Sequence, residues 1–320
     1  MDPIIQRALE DLGILTGRET RADAEMYTMN VGQALEHVKR KTYDVRYPEL
    51  KGRQLVPPSD DQADTGAETI AYEVFDEFGM AQIIANYADD LPMVDALMSK
   101  YEAPIVPIGN GWTYSIQDIR RSAMSRRPLT SKKAMVSRRT FETKIDTMIA
   151  VGESRIGIYG LANNPNVSKY APITGNWTNS TPAANMLADM IHLVKSTIVA
   201  CGEMFEPNRF LMPLDKFQMA ASRNLSSTGD SIRTVLAAFR EIYPNIQVLP
   251  WNRLATAGTG NTTRMACYPY SSDVMSFEEP QPYEVFPPQA KNLAFVVPAH
   301  GRTAAVVMYY PLAVGYMDGV

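Results

Sequence analysis

Residues 131–151 read SKKAMVSRRTFETKIDTMIAV, and they carry the strongest helical signal in the chain. Thr130 or Ser131 can cap the first turn by accepting a hydrogen bond from an otherwise orphaned backbone N–H. Ala134, Met135, Phe141, Ile145, Met148 and Ile149 recur at helical spacing and are expected to face inward. Roughly 20 residues at about 1.5 Å each make a rod of about 30 Å, long enough to organise a domain. Gly152 ends the rod, and Gly157 to Val167 (GIYGLANNPNV) reads as a compact loop.

Upstream of the rod, Ile105 to Ile116 reads as a strand broken by the turn Gly109-Asn110-Gly111. Glu68 to Ile84 suits another extended segment, with Ile70, Tyr72, Val74 and Phe75 among its strand formers. The stretch between them, through Asp89, Asp90 and Pro92, is polar at first and then weakly helical, so the whole reads as a long hairpin-like excursion. Further back, Tyr47 to Asp64 is rich in Pro, Asp and Gln and reads as an extended arm. Asp2 to Leu15 and about Arg21 to Lys41 show amphipathic helical patterns.

Downstream of the rod the chain alternates. Helices are expected at Pro182 to Ala200, Leu214 to Arg223 and Ser231 to Ile242. Strands are expected at Arg209 to Met212, Gln247 to Leu249, Met265 to Tyr268, Leu293 to Val297 and Ala304 to Tyr309. That mixture is α+β, without an internal repeat.

Composition bounds the function classes. The 320 residues are 45% hydrophobic and 21% charged, which is ordinary for a globular protein of two domains or one elaborated domain. No apolar run approaches the roughly 18 residues that span a bilayer, so no membrane association is expected. Met1-Asp2-Pro3-Ile4-Ile5 lacks the basic start and apolar stretch of a secretory signal, so a reduced cytosolic setting is expected. Cys201 and Cys267 are too few for a disulfide framework, and with His37, His192 and His300 they show no metal-ligand spacing. Neither a metal nor a cofactor is expected. The 18 methionines fit either a chain with much buried interface or a Met-rich core.

The charge map says more than the net charge of −4. Between Gln54 and Ser99 there is no Lys or Arg, while ten acids occur: Asp60, Asp61, Asp64, Glu68, Glu73, Asp76, Glu77, Asp89, Asp90 and Asp95. From Arg120 to Arg139 there are eight bases and no acid, in the pairs Arg120-Arg121, Arg126-Arg127, Lys132-Lys133 and Arg138-Arg139. Such blocks are solvated, paired within the subunit or paired between subunits. A nucleic-acid patch fits the basic run poorly, because no aromatic residue lies between Arg120 and Arg139 to stack on bases.

Catalytic constellations are scarce. Cys201 follows His192 by nine residues without a third orienting group, which is weak ground for a nucleophile. Gly258-Thr259-Gly260-Asn261 lacks the Lys-Ser/Thr of a phosphate loop. Asp64-Thr65-Gly66 is similar to the aspartic-protease triplet, but that chemistry needs two carboxylates sharing a proton. The residues before it, Ser59-Asp60-Asp61-Gln62-Ala63, are polar where the family has an apolar strand, and no second copy of the triplet occurs.

The order of parts resembles the major capsid proteins of tailed bacteriophages, whose fold the encapsulin shells share. The resemblance rests on Asp64 to Ala85 (DTGAETIAYEVFDEFGMAQIIA), Trp112 to Arg127 (WTYSIQDIRRSAMSRR), the Ser131–Val151 rod as spine helix, Gly157 to Val167, and the closing Arg302 to Gly319. It implies an α+β subunit with an N-terminal arm (1–64), an extended loop (65–117), a peripheral domain on the spine helix (118–180), an axial domain (181–272) and return strands to the peripheral domain (273–320). It implies a structural protein, not an enzyme, that self-assembles into hexamers and pentamers of an icosahedral shell around double-stranded DNA. Assembly in the bacterial host cytoplasm would yield a virion capsid, with a portal and, in some systems, scaffold or decoration proteins as partners. DNA would be held without sequence-specific binding. Extended loops in such shells lie over a neighbour, so Asp60, Asp61, Asp64, Glu73, Asp76 and Glu77 of one copy are expected to meet Arg120, Arg121, Arg126, Arg127, Lys132, Lys133, Arg138 and Arg139 of the next. Some members cross-link lysine to asparagine between subunits; with no lysine before Lys100 in the extended loop, only non-covalent contacts are expected here. The alternatives are an encapsulin-like compartment and, from another class, a protease acting through Asp64.

Overall fold

The computed structural model describes residues 49–78, 94–125, 129–225 and 233–320. The two helices expected near the N-terminus lie outside the described residues, as do Arg126, Arg127, Asp89 and Asp90. In chain order the elements begin with a helical turn α1 (Gly52–Leu55) and strands β1 (Thr69–Phe78), β2 (Asp95–Pro104) and β3 (Val106–Ser115). Helices α2 (Ile116–Ser125) and α3 (Leu129–Ala150) follow, then short strands β4 (Gly152–Glu153), β5 (Ile158–Tyr159) and β6 (Ser168–Tyr170), and helix α4 (Ala183–Ala200). Next come β7 (Arg209–Met212), α5 (Leu214–Ser222), α6 (Val235–Ile242), β8 (Gln247–Pro250) and β9 (Arg264–Tyr268). The chain closes with β10 (Met275–Glu278), β11 (Gln281–Val285), β12 (Gln289–Lys291), β13 (Ala294–Thr303), β14 (Ala305–Met308) and β15 (Gly315–Asp318).

The spine helix is α3. Phe141, Ile145, Met148 and Ile149 are buried on one face, and each such side chain contributes about 1.5–3 kcal/mol through the apolar area it removes from water. Met135, expected inward with them, is 70% exposed, and Ser137 is buried in its place. The reason is local: Ser137 Oγ donates to Asn110 Oδ1 at 2.7 Å and lies 2.8 Å from the Tyr283 hydroxyl, so a satisfied polar group turns this part of the helix toward β3. The helix ends where Gly152 adopts φ 69°, a left-handed stop.

Two sheets flank this helix and α4. The first joins β13 to β3 on one side and to β11 and β12 on the other. Phe141 lies against its bare backbone at Gly301, where an added Cβ would sit 2.5 Å from the ring. The second runs β6-β15-β9-β7-β8. Here α4 presents Met186, Met190, Leu193, Val194 and Thr197, spaced for one buried face, toward a core with Phe210, Phe239, Met265 and Met317. The last strand, β15, lies between β6 and β9 in this second sheet, whereas β13 of the same C-terminal segment pairs with β3.

Two expectations are corrected here. The strand containing Gly109-Asn110-Gly111 does not turn; it runs straight through ten pairs with β13. The partner of β1 is β2, in a stretch whose composition reads as weakly helical. The end of the expected arm is also more than an extended linker. The amide of Gly52 in α1 donates to Asp146 Oδ1 at 2.8 Å, Leu55 and Val56 are buried, and Tyr268 Oη donates to the Leu55 carbonyl at 2.7 Å.

Candidate intersubunit surface

Among the described residues β1 and β2 pair only with each other, in an unbroken antiparallel register from Thr69↔Pro104 to Phe78↔Asp95. Ten residues at roughly 3.4 Å make a ribbon of about 34 Å. The base is fastened. Ile105 N donates to Glu68 O at 2.9 Å, Tyr72 Oη donates to Met308 O at 3.3 Å, and Tyr72 stacks on Tyr101 while meeting Tyr309 edge-on at 5.0 Å. Beyond Tyr72 the apolar side chains lose cover: Phe75 is 62% exposed, its direct cross-strand partner Met98 55% and the neighbouring Leu97 60%. A two-stranded ribbon is marginal by itself, so exposed apolar pairs along it call for a partner surface.

The expected acids are spread along and below this ribbon. Asp60 accepts from Ser272 Oγ at 2.7 Å, and the Asp61 carbonyl accepts from Ser59 Oγ at 3.0 Å. Glu73 stands opposite Lys100, which pairs with Glu102 at 2.9 Å and has its own pKa raised, first by the Glu102 hydrogen bond. Asp76 and Glu77 hold the positions opposite Leu97 and Ala96. Asp64 opens an exposed turn closed by Ala67 N donating to Asp64 O at 3.0 Å, and the Thr65 carbonyl accepts from Arg302. An exposed turn residue is not the strand-backed, enclosed carboxylate that protease chemistry uses.

Of the expected bases, Arg120 and Arg121 sit on α2 and Lys132, Lys133, Arg138 and Arg139 on the N-terminal half of α3. Arg120 and Arg121 are exposed on α2. That helix is started by a reciprocal cap, Asp118 Oδ2 accepting from Ser115 N at 3.2 Å and Ser115 Oγ accepting from Asp118 N at 3.0 Å. The Ser115 amide is the main cause that holds the Asp118 carboxyl below its usual range. Lys133 donates to Thr113 O at 2.7 Å and lies 3.9 Å from Asp118. Lys132 lines a groove between α3 and β3, and Arg138 and Arg139 are exposed beside Met135 and Val136. The apolar members of both surfaces, Phe75 with Met98 and Met135 with Val136, are the residues that charge counting missed. The alternation of β1 carried a signal for the first pair.

The groups that resemble catalytic residues are built into the fold. Cys201 and Cys267 are free and buried, and burial pushes the Cys267 thiol up to about 12. His192 Nδ1 lies 3.3 Å from Ser196 Oγ on the same helix. Among the described residues no cluster of His, Cys, Asp and Glu could hold a metal ion, and no helix is long and apolar enough to cross a membrane.

A projecting ribbon with uncovered apolar side chains, segregated charged faces and a spine helix on two sheets define a structural subunit of the capsid-shell class. Residues 79–320 match the major capsid protein family, and the chain belongs to that family. No curated protein sequence matches it. Its fold is similar to that in the capsid of Myoviridae phage XM1, at TM-score 0.80 and 17% identity over 90% of this chain and 98% of the other. A structure from Mycobacterium phage Bobi is similar at TM-score 0.62 and 14% identity, over 91% and 97%. A virus-like particle from Pyrococcus furiosus shares the fold at TM-score 0.50 and 8% identity, over 83% and 91%.

Proposed function

We propose that copies of this chain form hexamers and pentamers of an icosahedral bacteriophage shell that encloses double-stranded DNA, assembled in the host cytoplasm with a portal and, where used, scaffold or decoration proteins. The observation that carries this reading is the β1–β2 ribbon, which leaves the body of its own subunit with Phe75, Leu97 and Met98 uncovered. In the proposed shell the acidic ribbon of one copy (Glu73, Asp76, Glu77, with Asp60, Asp61 and Asp64 near its base) lies over the basic spine region of the next (Arg120, Arg121, Arg126, Arg127, Lys132, Lys133, Arg138, Arg139). Opposite charge steers the encounter and fixes register, and the apolar pairs supply contact area. Closed symmetry repeats a modest contact many times, so individually weak interfaces hold a container together. The division into arm (1–64), extended loop (65–117), peripheral domain (118–180), axial domain (181–272) and returning segment (273–320) belongs to this proposal, with 69–104 as the projecting part of the loop.

The test is electron microscopy of purified particles beside the variant with Arg126, Arg127, Lys132 and Lys133 all changed to Glu. The expected result is shells from the parent and a folded, unassembled subunit from the variant. Normal particle yield from the variant overturns the pairing.

A further inference from the structure

β13 is covered on one side by β11 and β12 and on the other by β3, so among the described residues β3 is an edge strand ten residues long. One bond sets the phase of its ladder. Ile116 N donates to Leu293 O at 3.1 Å, and this pair continues the register that matches Ser115 with Ala294. In an antiparallel ladder, residues that exchange bonds alternate with residues that turn theirs away. Tyr114, Trp112, Asn110 and Ile108 therefore bond to β13, while Ser115, Thr113, Gly111 and Gly109 direct N–H and C=O to the open side. Two contacts agree with that phase: Ser115 N donates to Asp118, and Thr113 O accepts from Lys133. Pro107, also outward, has no N–H to offer.

The outward groups of Gly109 and Gly111 have no partner among the described residues, and both glycines are exposed. Gly111 lines a groove of about 340 Å³ together with Trp112, Lys132, Lys133, Val136 and Ser137, and Gly109 lies two residues from it along the strand. Lysines and prolines commonly blunt an edge strand, but here they occupy its ends and leave the middle open.

We propose that the Gly109–Thr113 edge receives, by main-chain pairing, the β1 strand of a second copy of this chain. The inference rests on the ribbon-to-spine reading and adds to it the hydrogen-bonding groups that would set the register. Among the described residues both strands of the ribbon are ten-residue edges that match β3 in length, and β1 is the occupant because Glu73, Asp76 and Glu77 lie on it, whereas β2 carries Lys100. Docking would carry Glu73 and Glu77, positions that share one face of β1 with Phe75, along a groove walled by Lys132 and Lys133. It would also lay an exposed apolar strand beside Val136, which is 63% exposed. Pairing of this kind draws affinity from backbone groups and specificity from side chains on either flank.

Hydrogen exchange on peptides spanning 106–115 tests the site. The outward amides of Gly109, Gly111 and Thr113 should exchange freely in unassembled subunits and at least tenfold more slowly in particles; unchanged exchange in particles overturns the proposal. Gly109→Pro removes the outward N–H, whereas Gly109→Ala keeps it, with its Cβ only 3.5 Å from the Ala299 carbonyl. The Ala variant should assemble, and the Pro variant should stay folded with particle yield down at least tenfold. Equal yields overturn the proposal, and a misfolded Pro variant leaves exchange to decide. Zero-length carbodiimide coupling of particles mixed from labelled and unlabelled copies should join Lys132 or Lys133 to Glu73 or Glu77 across copies. Links only to another segment overturn β1 as occupant. Should the charge-reversed variant fail to assemble while the parent's edge amides stay exchangeable, the charge pairing survives and the strand pairing falls.

Discussion

Arg264 and Asp318 meet in a two-point ion pair, Nε to Oδ1 at 2.5 Å and Nη2 to Oδ2 at 2.7 Å, with the guanidinium 3% exposed. The same guanidinium lies 4.4 Å over the Tyr316 ring and donates to the Ala162 carbonyl, while Asp318 also accepts from the amide and hydroxyl of Thr259. This ties β15, the last strand, to β9 and to the loop after the spine. Burial pushes the Asp318 carboxyl up, but Arg264 and Thr259 outweigh it and the net displacement is down. A carboxylate whose folded pKa lies below the unfolded value of about 3.9 contributes fully above that value and loses the contribution as pH falls through the folded pKa. Asp318→Asn should cost about 3 kcal/mol at pH 7, because it leaves a buried cation without its counter-charge. The gap between parent and variant in urea melts should narrow below pH 4.

The close approach of Phe141 to Gly301 gives a second expectation. An added Cβ would sit 2.5 Å from the ring and 3.1 Å from the Gln281 carbonyl, so Gly301→Ala forces the spine helix off its sheet. The cost should be about 1–3 kcal/mol by urea denaturation. Adding Phe141→Leu should recover part of the loss, because the two sites share one space.

Phe141 and Met135 look alike in the helical pattern, and the structure separates them. Phe141→Ala should destabilise the subunit by about 3–5 kcal/mol. Met135→Ala should change subunit stability by less than about 0.5 kcal/mol, since the side chain is exposed, while lowering particle yield. Thermal melts and particle counts read the two effects independently.

How far the sequence could be read follows from which forces write a pattern. The spine and the buried strands β7 and β9 are legible because a core demands apolar side chains at a fixed period. β2 is not, because Asp95–Pro104 lies almost wholly exposed on both faces and no core enforces alternation. Gly109-Asn110-Gly111 has the composition of a turn, yet Gly111 serves close packing, with an added Cβ only 3.0 Å from the Val297 carbonyl, and Asn110 serves the bond to Ser137. Charge segregation singles out the acidic and basic stretches, but the apolar residues beside the charges appear only once burial by the core has been assigned.

The two thiols offer a direct check on the packing of α4. Cys267 lies 3.0 Å from Thr197 Oγ1 under α4, and Cys201 closes the same helix, both buried. The reactive species is the thiolate, which burial suppresses at Cys267. Native protein at pH 8 should titrate near zero thiols with Ellman's reagent, and two per chain after denaturation. Fast labelling of Cys267 in the folded state would mean that α4 does not cover β9 as described.

Ionic strength separates steering from holding. If acidic ribbon and basic spine find each other through long-range attraction, the assembly rate should fall steeply between 0.05 and 1 M salt, because the screening length shrinks to about 3 Å at 1 M. The mature particle should respond less, since buried apolar contacts such as those proposed for Phe75 and Met98 are not screened and are strengthened by excluded salts such as sulfate. Light-scattering assembly kinetics and particle dissociation over the same salt series read the two quantities. A dissociation rate that climbs as steeply as the assembly rate falls would show that charge, not apolar contact, holds the interface closed.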